Sequence, residues 1–505
     1  MSGAGFVALG PLLAVTAAAL LAPLAISIRR SHALAAGIAF AGFLAGAAAI
    51  PWALRVAPLQ VTPLLVVDAY TLFVVGLVFL SSAVVVLLAH GYLVHHELER
   101  TEELYILLLL AGLGAAVLAA SDHFASFFLG LETLSVSLYA LVAFARRRAA
   151  SIEAGIKYLI LAAATSAVLL LGMAYVYADL GVMGFGELGA ALAAGQGGPV
   201  GLVGLVLMLV AVGFKLALVP FHMWVADVYE GAPAPIAGFL ATVSKGGVVA
   251  VTLRLLVEHE GYRDTAVFTA LATMAVASIL FGNLLALLQP NLKRLLAFSS
   301  VAHMGYLLVA LLAVGSLAAE AVTFYLVAYI VTTLGAFGVI GVLVQAGGEE
   351  ADLVEHLRGL FWSRPALASI MTACMLSLAG IPLTAGFVAK FTVLAAGVDA
   401  SLWWLVWVMI VGSAIGAFYY LRVIVAMLRD PAGAEDGYAS GADSAAGSAA
   451  RGAADAEVAA ADGVKAGLPL AAGIGLAVLF ALLVALGVYP TPVQGLIEGA
   501  VQGLF

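Results

Sequence analysis

Cysteine, charged residues and nucleotide-binding loops are scarce or absent in this sequence. Only 10% of its 505 residues are charged and 64% are hydrophobic, a composition outside the range of soluble domains. The single cysteine, Cys374, has no partner for an internal disulfide. No CxxC pair, Cys/His cluster or Walker loop is present to hold zinc, haem, an iron–sulfur cluster or ATP. These absences argue against a soluble enzyme, a redox centre in this chain and ATP as the energy source.

Long apolar runs make up most of the chain. A helix needs about 20 apolar residues to cross a hydrocarbon core of roughly 30 Å. The runs are continuous rather than alternating, which favours helices over a β-barrel. Fourteen runs qualify: 4–28, 34–53, 69–90, 103–120, 122–144, 153–178, 200–219, 232–256, 265–286, 293–314, 319–345, 366–396, 402–428 and 467–488. We therefore predict an all-α integral membrane protein with about 14 transmembrane helices.

Lysine and arginine gather in alternate loops of this arrangement. The loops after odd-numbered helices carry fourteen of the 21 basic residues, including Lys293 and Arg294, whereas the even-numbered loops carry only Arg55, Arg254 and Arg263. Because cytoplasmic loops collect positive charge, we expect both termini to lie outside. The acidic stretch at 429–466 is expected to form a flexible cytoplasmic loop.

The four remaining lysines, Lys157, Lys215, Lys245 and Lys390, fall inside predicted helices. A lysine at a helix centre costs about 2.5 to 3.5 kcal/mol on insertion scales, so each should have a partner or a hydrated path. Glu132, on the fifth helix, is the expected partner of Lys157. Such a pair either locks two helices together or loads a proton, since a nearby cation favours the carboxylate while desolvation opposes it. Lys245 lies at a depth similar to that of Lys215 and could receive a proton from it through water.

Proline and glycine interrupt two predicted helices beside a lysine. Pro220 removes a backbone donor shortly after Lys215. The run 366–396 would be on the order of 45 Å long as one helix, so it must break, and Pro382 supplies a break before Lys390. Broken helices at membrane depth are tolerated where they line a hydrated cavity. The two breaks indicate duplicated transport units, although a simple proline kink remains an alternative for the first.

Two histidines complete the set of candidates for proton transfer, because histidine titrates near neutrality. His303 lies deep in the tenth helix, which favours a relay. His222 follows the first break and suits a relay or an interfacial position equally well. Asp227 and Glu230, in the loop after that break, are interpreted as surface charges and are left out of the core mechanism.

Six segments together resemble a known family. They are GLETLSVSLYALVAF, EAGIKYLIL, FKLALVPFHMWVADVYEGAPAP, ATVSKGG, NLKRLLAFSSVAHMGYLLVA and SLAGIPLTAGFVAKF. In this order, and over most of residues 103–428, they resemble subunit N of the proton-pumping NADH:quinone oxidoreductase, respiratory complex I, a member of the antiporter-like membrane subunit family. The family is related to subunits of multisubunit sodium/proton antiporters.

The resemblance implies a division of the chain. Two inverted five-helix antiporter-like repeats, each with an interrupted helix, would occupy helices 4–8 at 103–258 and helices 9–13 at 259–428. Residues 1–102 would form three additional helices, 429–466 the acidic loop, and 467–505 the last transmembrane helix.

The resemblance also implies a proton route through Glu132, Lys157, Lys215, Lys245 and Lys390, to which the sequence adds the two histidines. The chain itself would hold no cofactor, because quinone, FMN and iron–sulfur clusters belong to other subunits of the complex. The expected partners are the other membrane and peripheral subunits, especially sister antiporter-like subunits, and the lipid bilayer, but no nucleic acid. The expected location is the plasma membrane of a prokaryote.

Two alternative functions use the same residues. A subunit of a multisubunit cation/proton antiporter or of a membrane-bound hydrogenase complex would share the scaffold and the lysines. A purely structural membrane scaffold would use the charges only to hold helices together, and charge-neutral variants that still assemble would distinguish it.

Overall fold

A computed structural model describes residues 3–96, 101–257, 266–344, 350–429 and 468–504. Arg100, Arg263 and nearly all of the predicted acidic loop lie outside the described residues. The described part of the chain is almost entirely helical, with one short antiparallel β-hairpin between the second and third long helices.

The elements run from a short helix near the N-terminus to a 3-10 turn near the C-terminus. They are α1 Gly3–Ala8, α2 Gly10–Ile28, α3 His32–Leu54, β1 Leu59–Thr62, β2 Leu65–Val67, α4 Ala69–His95, α5 Glu102–Ala120, α6 Phe124–Val142, α7 Ala149–Leu180, α8 Phe185–Ala193, α9 Pro199–Leu216, α10 Val225–Gly231, α11 Ala234–Phe239, a π-helical turn Leu240–Ser244, α12 Lys245–Val257, α13 Ala266–Leu287, α14 Leu292–Ala313, α15 Ser316–Val342, a 3-10 turn Val354–Leu357, α16 Leu360–Ser363, α17 Pro365–Ala379, α18 Ala385–Asp399, α19 Trp403–Leu428, α20 Leu470–Val488, α21 Thr491–Val501 and a 3-10 turn Gln502–Leu504.

The predicted membrane-spanning architecture is confirmed. Within the described ranges, thirteen helices are long and apolar enough to cross a membrane, counting α11 to α12 as one continuous helix. The predicted span 366–396 is divided into two shorter helices, α17 and α18, as its length required. The thirteen long helices and this divided one match the fourteen predicted spans.

The first interruption is wider than a proline kink. Helix α9 ends at Leu216, where Ala217 has a left-handed conformation (φ 58°), and α10 begins only at Val225. The intervening backbone is held by tertiary contacts, since the Val219 N–H donates to the Ser278 hydroxyl of α13 at 2.9 Å. The simple-kink alternative is therefore excluded by the path of the chain.

The second interruption depends on a glycine. Helix α17 ends at Gly380, which has φ 81°, and Thr384 caps the start of α18 by accepting from the Phe387 N–H. A Cβ atom on Gly386 would lie 1.8 Å from the Ser377 carbonyl oxygen. Only glycine allows the first turn of α18 to cross so close to α17.

The interior of the bundle is formed by three long helices. The α11–α12 segment, α14 and α15 are buried along their whole apolar windows, whereas α2, α3, α7, α19 and α20 bury only about a third of theirs. Polar side chains on the interior helices must find most of their partners inside the protein, because these helices are not surrounded by bulk water or lipid. The candidate site is therefore concentrated where these three helices meet.

Arg254, Lys293 and Arg294 were assigned to loops but lie inside helices. Arg254 belongs to α12, is only 5% exposed, and pairs with Asp68 at 2.8 Å. Lys293 and Arg294 form the first turn of α14 rather than the preceding loop. The loop assignment was wrong for these residues because their charges pair with carboxylates of the protein and do not need solvation by water in a loop.

Candidate proton-transfer site

Three of the predicted lysines are buried in the bundle. Lys215, Lys245 and Lys390 are 6%, 1% and 6% exposed. In each case the amine donates a hydrogen bond to a neutral oxygen. The three sites share this chemistry although they lie on different helices.

Lys215 lies in the last turn of α9 and points at α6. Its Nζ donates to the Ser135 hydroxyl at 2.6 Å and lies 5.7 Å from the centre of the Tyr158 ring. Glu132 lies on α6 one helical turn before Ser135. The structure therefore brings Glu132 and Lys215 together.

The predicted pair of Glu132 and Lys157 is wrong. The Glu132 carboxylate accepts a hydrogen bond from Ser166 on α7 instead. Lys157 and Ser166 are nine residues apart, and at about 100° per residue their side chains leave α7 about half a turn apart. Glu132, on α6, therefore contacts one side of α7, whereas Lys157 projects from the opposite side of α7.

Lys157 joins an ionic cluster at one end of the bundle. Its side chain is 43% exposed, and its Nζ pairs with Glu153 at 2.7 Å and Asp227 at 2.8 Å. Arg294 pairs with the same Asp227 at 2.8 Å and with Glu230 at 2.7 Å. The short helix α10 is thus held between α7 and α14.

Asp227 and Glu230 are consequently more than surface charges, and that interpretation was wrong. Burial raises the pKa of Asp227, but hydrogen bonds from Lys157 and Arg294 outweigh it and hold the pKa below its usual value. Asp227 and Glu230 are three residues apart, a spacing that places both carboxylates on one face of a helix. A prediction of α10 as a helix would therefore have brought them together.

A second ion pair is completely buried and was missed from the sequence. Lys293 and Glu350 bond to each other with no exposed side-chain surface. Lys293 also donates to the Ala232 carbonyl at 2.9 Å, and Glu350 accepts from the Ala234 N–H at 3.1 Å. Burial raises the pKa of Glu350, but Lys293, with Arg148 at 3.6 Å, brings it below its usual value. Glu350 is therefore the buried counter-charge of Lys293.

Lys245 stands at the centre of the bundle, directly after the π-helical turn. Its Nζ donates to the Ser300 hydroxyl of α14 at 2.6 Å, and the Tyr329 hydroxyl of α15 donates to the same oxygen at 2.7 Å. Single π-helical turns are frequent at functional sites because they displace one side chain from the regular helical position. In this bundle the residue that follows the turn is the buried lysine.

His303 continues this network along α14. Its Nδ1 lies 2.6 Å from the Tyr325 hydroxyl and its Nε2 lies 3.1 Å from the Tyr420 hydroxyl. Its ring centre is 5.3 Å from that of Tyr329, which bonds to the Lys245 partner. The deep location predicted for His303 is confirmed, and its role as a relay stays a prediction.

Lys390 lies on α18 against the end of α17. Its Nζ donates to the carbonyl oxygens of Leu378 and Ala379, both at 2.9 Å, and to the Ser413 hydroxyl at 2.9 Å. The last carbonyls of a helix have no partner within the helix, so this amine caps the broken end. A cavity of about 10 Å³, room for about one water, is bordered by Lys390 and His303.

His222 lies apart from these contacts, in the backbone between α9 and α10. It is 7% exposed, and the choice between a relay and an interfacial position stays a prediction. Its Nδ1 has no hydrogen-bond partner among the described residues. The structure does not join it to the lysines, and its role in proton transfer stays a prediction.

A larger cavity lies away from this chemistry. About 880 Å³ in volume, it is lined by apolar residues of α6, α8, α9, α12 and α13, with Thr252 as the polar exception. It contains none of the candidate residues. Among the described residues, no group of three or more His, Cys, Asp or Glu is placed to hold a metal ion.

Comparisons with known proteins agree with this arrangement. Residues 121–416 match the family described as "NADH:quinone oxidoreductase/Mrp antiporter, TM". The chain is 51% identical over 431 residues to NADH-quinone oxidoreductase subunit N of Ectopseudomonas mendocina (strain ymp), covering 84% of this chain and 87% of the relative. Against subunit N of Methylococcus capsulatus (strain ATCC 33009 / NCIMB 11132 / Bath), identity is 50% over 430 residues, again covering 84% and 87%.

Solved structures extend the similarity to the whole fold. A chain of respiratory complex I from Thermus thermophilus with bound aureothin superposes with a TM-score of 0.77 at 30% identity, covering 96% of this chain and 98% of that one. A chain of the Mrp complex from Dietzia sp. DQ12-45-1b superposes with a TM-score of 0.79 at 23% identity, covering 100% and 98%. The second likeness concerns the fold alone.

Proposed function

The chain belongs to the NADH:quinone oxidoreductase/Mrp antiporter transmembrane family, and from that premise we propose that it works as the proton-translocating subunit N of an NADH:quinone oxidoreductase. Curated relatives at about half identity carry that name, and the match covers most of each chain. The chain's own part in the reaction is to move protons, while the redox chemistry takes place in other subunits.

One observation carries the proposal: the amines of Lys215, Lys245 and Lys390 are buried against hydroxyl and carbonyl oxygens instead of carboxylates. A buried lysine with a neutral partner can lose its proton without leaving an unpaired anion behind. Lys293 in the same chain shows the contrast, because its buried amine bonds to the carboxylate of Glu350. The scaffold alternative predicts ion pairs of the Lys293 kind at all three positions.

The proposed route runs along the buried hydroxyls. Lys215 receives a proton near Glu132 and passes it through water toward Lys245. The ammonium of Lys245 then releases a proton to the Ser300 hydroxyl, and the hydroxyl proton of Ser300 is proposed to move on through water to the imidazole of His303, whose ring lies 5.3 Å from that of Tyr329. A single water between His303 and Lys390 completes the transfer to the second broken helix. Lys157 and His222 are proposed to adjust the first stage, since neither contacts this line directly.

The proposed division of the chain follows the two broken helices. The repeats at 103–258 and 259–428 each contain one, which supports an origin from duplicated transport units. Residues 1–102 and 467–505 are proposed as additional helices around them, and 429–466 is proposed as a cytoplasmic loop.

The assembly supplies the energy. We infer that quinone reduction, with FMN and iron–sulfur clusters in other subunits, changes the charge at the neighbouring subunit, and that the change propagates along the buried groups. The partners are the other membrane and peripheral subunits, and the location is a prokaryotic plasma membrane with both termini outside. Clustering of basic residues in alternate loops supports that orientation.

The test is Lys215→Met, Lys245→Met and Lys390→Met in the assembled complex, with proton pumping and quinone reduction measured in the same membrane vesicles. We expect each variant to assemble and to lose more than about tenfold in pumping, because one carrier of the proton is gone. The matched control is Lys293→Met combined with Glu350→Leu, which removes a buried lysine outside the route. Full pumping in all three single variants would contradict the proposal.

A cation/proton antiporter subunit would show the same dependence on lysines. The subunits that copurify with the tagged chain distinguish the two, because the proposed function requires NADH- or quinone-reactive subunits among them.

A further inference from the structure

His303 is held between two phenols inside the bundle. The Tyr325 hydroxyl bonds to Nδ1 and the Tyr420 hydroxyl to Nε2. A neutral imidazole carries one ring proton, so one nitrogen donates while the other accepts. A phenol can do either, so both tautomers find partners at the same two atoms.

Tyr420 has a second hydroxyl partner besides His303. Its hydroxyl also bonds to the Ser299 hydroxyl, one helical turn before His303 on α14. Tyr420 and Ser299 are 1% and 2% exposed, so water does not replace either bond. The Tyr420 proton can therefore point to His303 or to Ser299 by rotation about a single C–O bond.

We propose that Tyr420 is a positioning residue for proton transfer through His303, an inference that rests on the proposed function. When Nε2 lacks a proton, the Tyr420 hydroxyl donates to it. When Nε2 carries one, Tyr420 accepts from it and donates to Ser299. The ring can thus hold its proton on either nitrogen while each ring nitrogen keeps a hydrogen-bond partner, so a proton gained at one nitrogen and lost from the other leaves no buried polar atom unpaired.

The neighbouring residue provides a matched control. Tyr419 is 0% exposed and precedes Tyr420 on α19, but its hydroxyl donates to the Asn283 amide oxygen at 3.0 Å. Tyr419→Phe and Tyr420→Phe therefore each remove one hydroxyl of similar burial from the same helix turn. Only the second removes a partner of His303.

The experiment measures proton pumping by the whole complex in vesicles as a function of pH, for Tyr420→Phe, Ser299→Ala and Tyr419→Phe. We expect Tyr420→Phe to lower the pumping rate about tenfold, the rate equivalent of one hydrogen bond, and to displace the pH profile. Ser299→Ala should displace it in the same direction by less, and Tyr419→Phe should leave its position unchanged.

Two results would overturn the inference: identical profiles for Tyr420→Phe and Tyr419→Phe, or an unshifted profile in a fully assembled Tyr420→Phe complex. The lysine variants separate this failure from that of the proposed function. If Lys245→Met and Lys390→Met abolish pumping while Tyr420→Phe behaves as its control, only the role of Tyr420 is wrong.

Discussion

Removing the charge of Glu350 should destabilise the protein far more than removing that of Glu230, although both carboxylates pair with a basic residue at the start of α14. The Lys293–Glu350 pair has no exposed surface, whereas Arg294 and Glu230 are 28% and 38% exposed. Glu350→Gln leaves a buried ammonium without its counter-charge, which costs roughly 3 to 5 kcal/mol. Glu230→Gln weakens a half-solvated pair worth about 0 to 1 kcal/mol.

The two costs differ by at least about 2 kcal/mol, or more than tenfold in the folding equilibrium. The assay is thermal inactivation of quinone reduction in the purified complex, together with the amount of complex that assembles. Glu350→Gln should lower both strongly and Glu230→Gln slightly. Lys293→Met combined with Glu350→Gln should recover most of the loss, because no unpaired ammonium is buried in that variant.

Equal inactivation temperatures for Glu350→Gln and Glu230→Gln would refute this reasoning. So would a double variant no more stable than Glu350→Gln alone, since it would show that the cost came from lost packing rather than from the isolated charge of Lys293.

Two further predictions concern acid and the broken helix. Asp227 and Glu350 both have pKa values below their usual range, because cationic partners outweigh burial. The stability that each contributes is therefore present above its unfolded-state pKa and is lost as the pH falls through its folded-state pKa. When the pH is lowered from neutral to about pH 5 and below, Asp227→Asn should lose less stability against inactivation than the unaltered protein, and equal losses would contradict the assignment. Gly386→Ala should lower the stability of the folded protein by about 1 to 3 kcal/mol or more, because its methyl group would meet the Ser377 carbonyl. Gly37→Ala is the control, because its methyl group would meet nothing within 4 Å. Blue-native electrophoresis should show less assembled complex for Gly386→Ala and a normal amount for Gly37→Ala.

The spans and their interruptions were predictable because they depend on local chemistry. A membrane helix must satisfy its own backbone, so apolar length alone identifies it. The run 366–396 would have been too long as one membrane helix, and Pro382 with the glycines around it indicated that the run is divided into two helices. The burial of Lys215, Lys245 and Lys390 followed from their location in these runs.

The partners of the charges were not predictable in the same way. Lys157 and Glu132 occupy neighbouring helices, but the face that each presents depends on how α7 is rotated in the bundle, and the carboxylate bonds to Ser166. Glu350 follows a long helix and meets Lys293 only through the folding of the chain between them. Neither contact has a sequence spacing that could have indicated it.

The gap between Lys390 and His303 has a consequence for ion selectivity. An alkali cation crosses a narrow protein site only where several oxygen atoms replace its hydration shell. This gap has room for about one water and is bordered by the Lys390 amine and the His303 imidazole together with Tyr325, Tyr329, Thr332 and Ser377, so it cannot hold a cation with its hydration shell. A proton needs no such space, because it moves by exchange between neighbouring atoms. On the proposed route, a sodium ion would therefore have to shed its hydration shell at this gap in order to follow the proton.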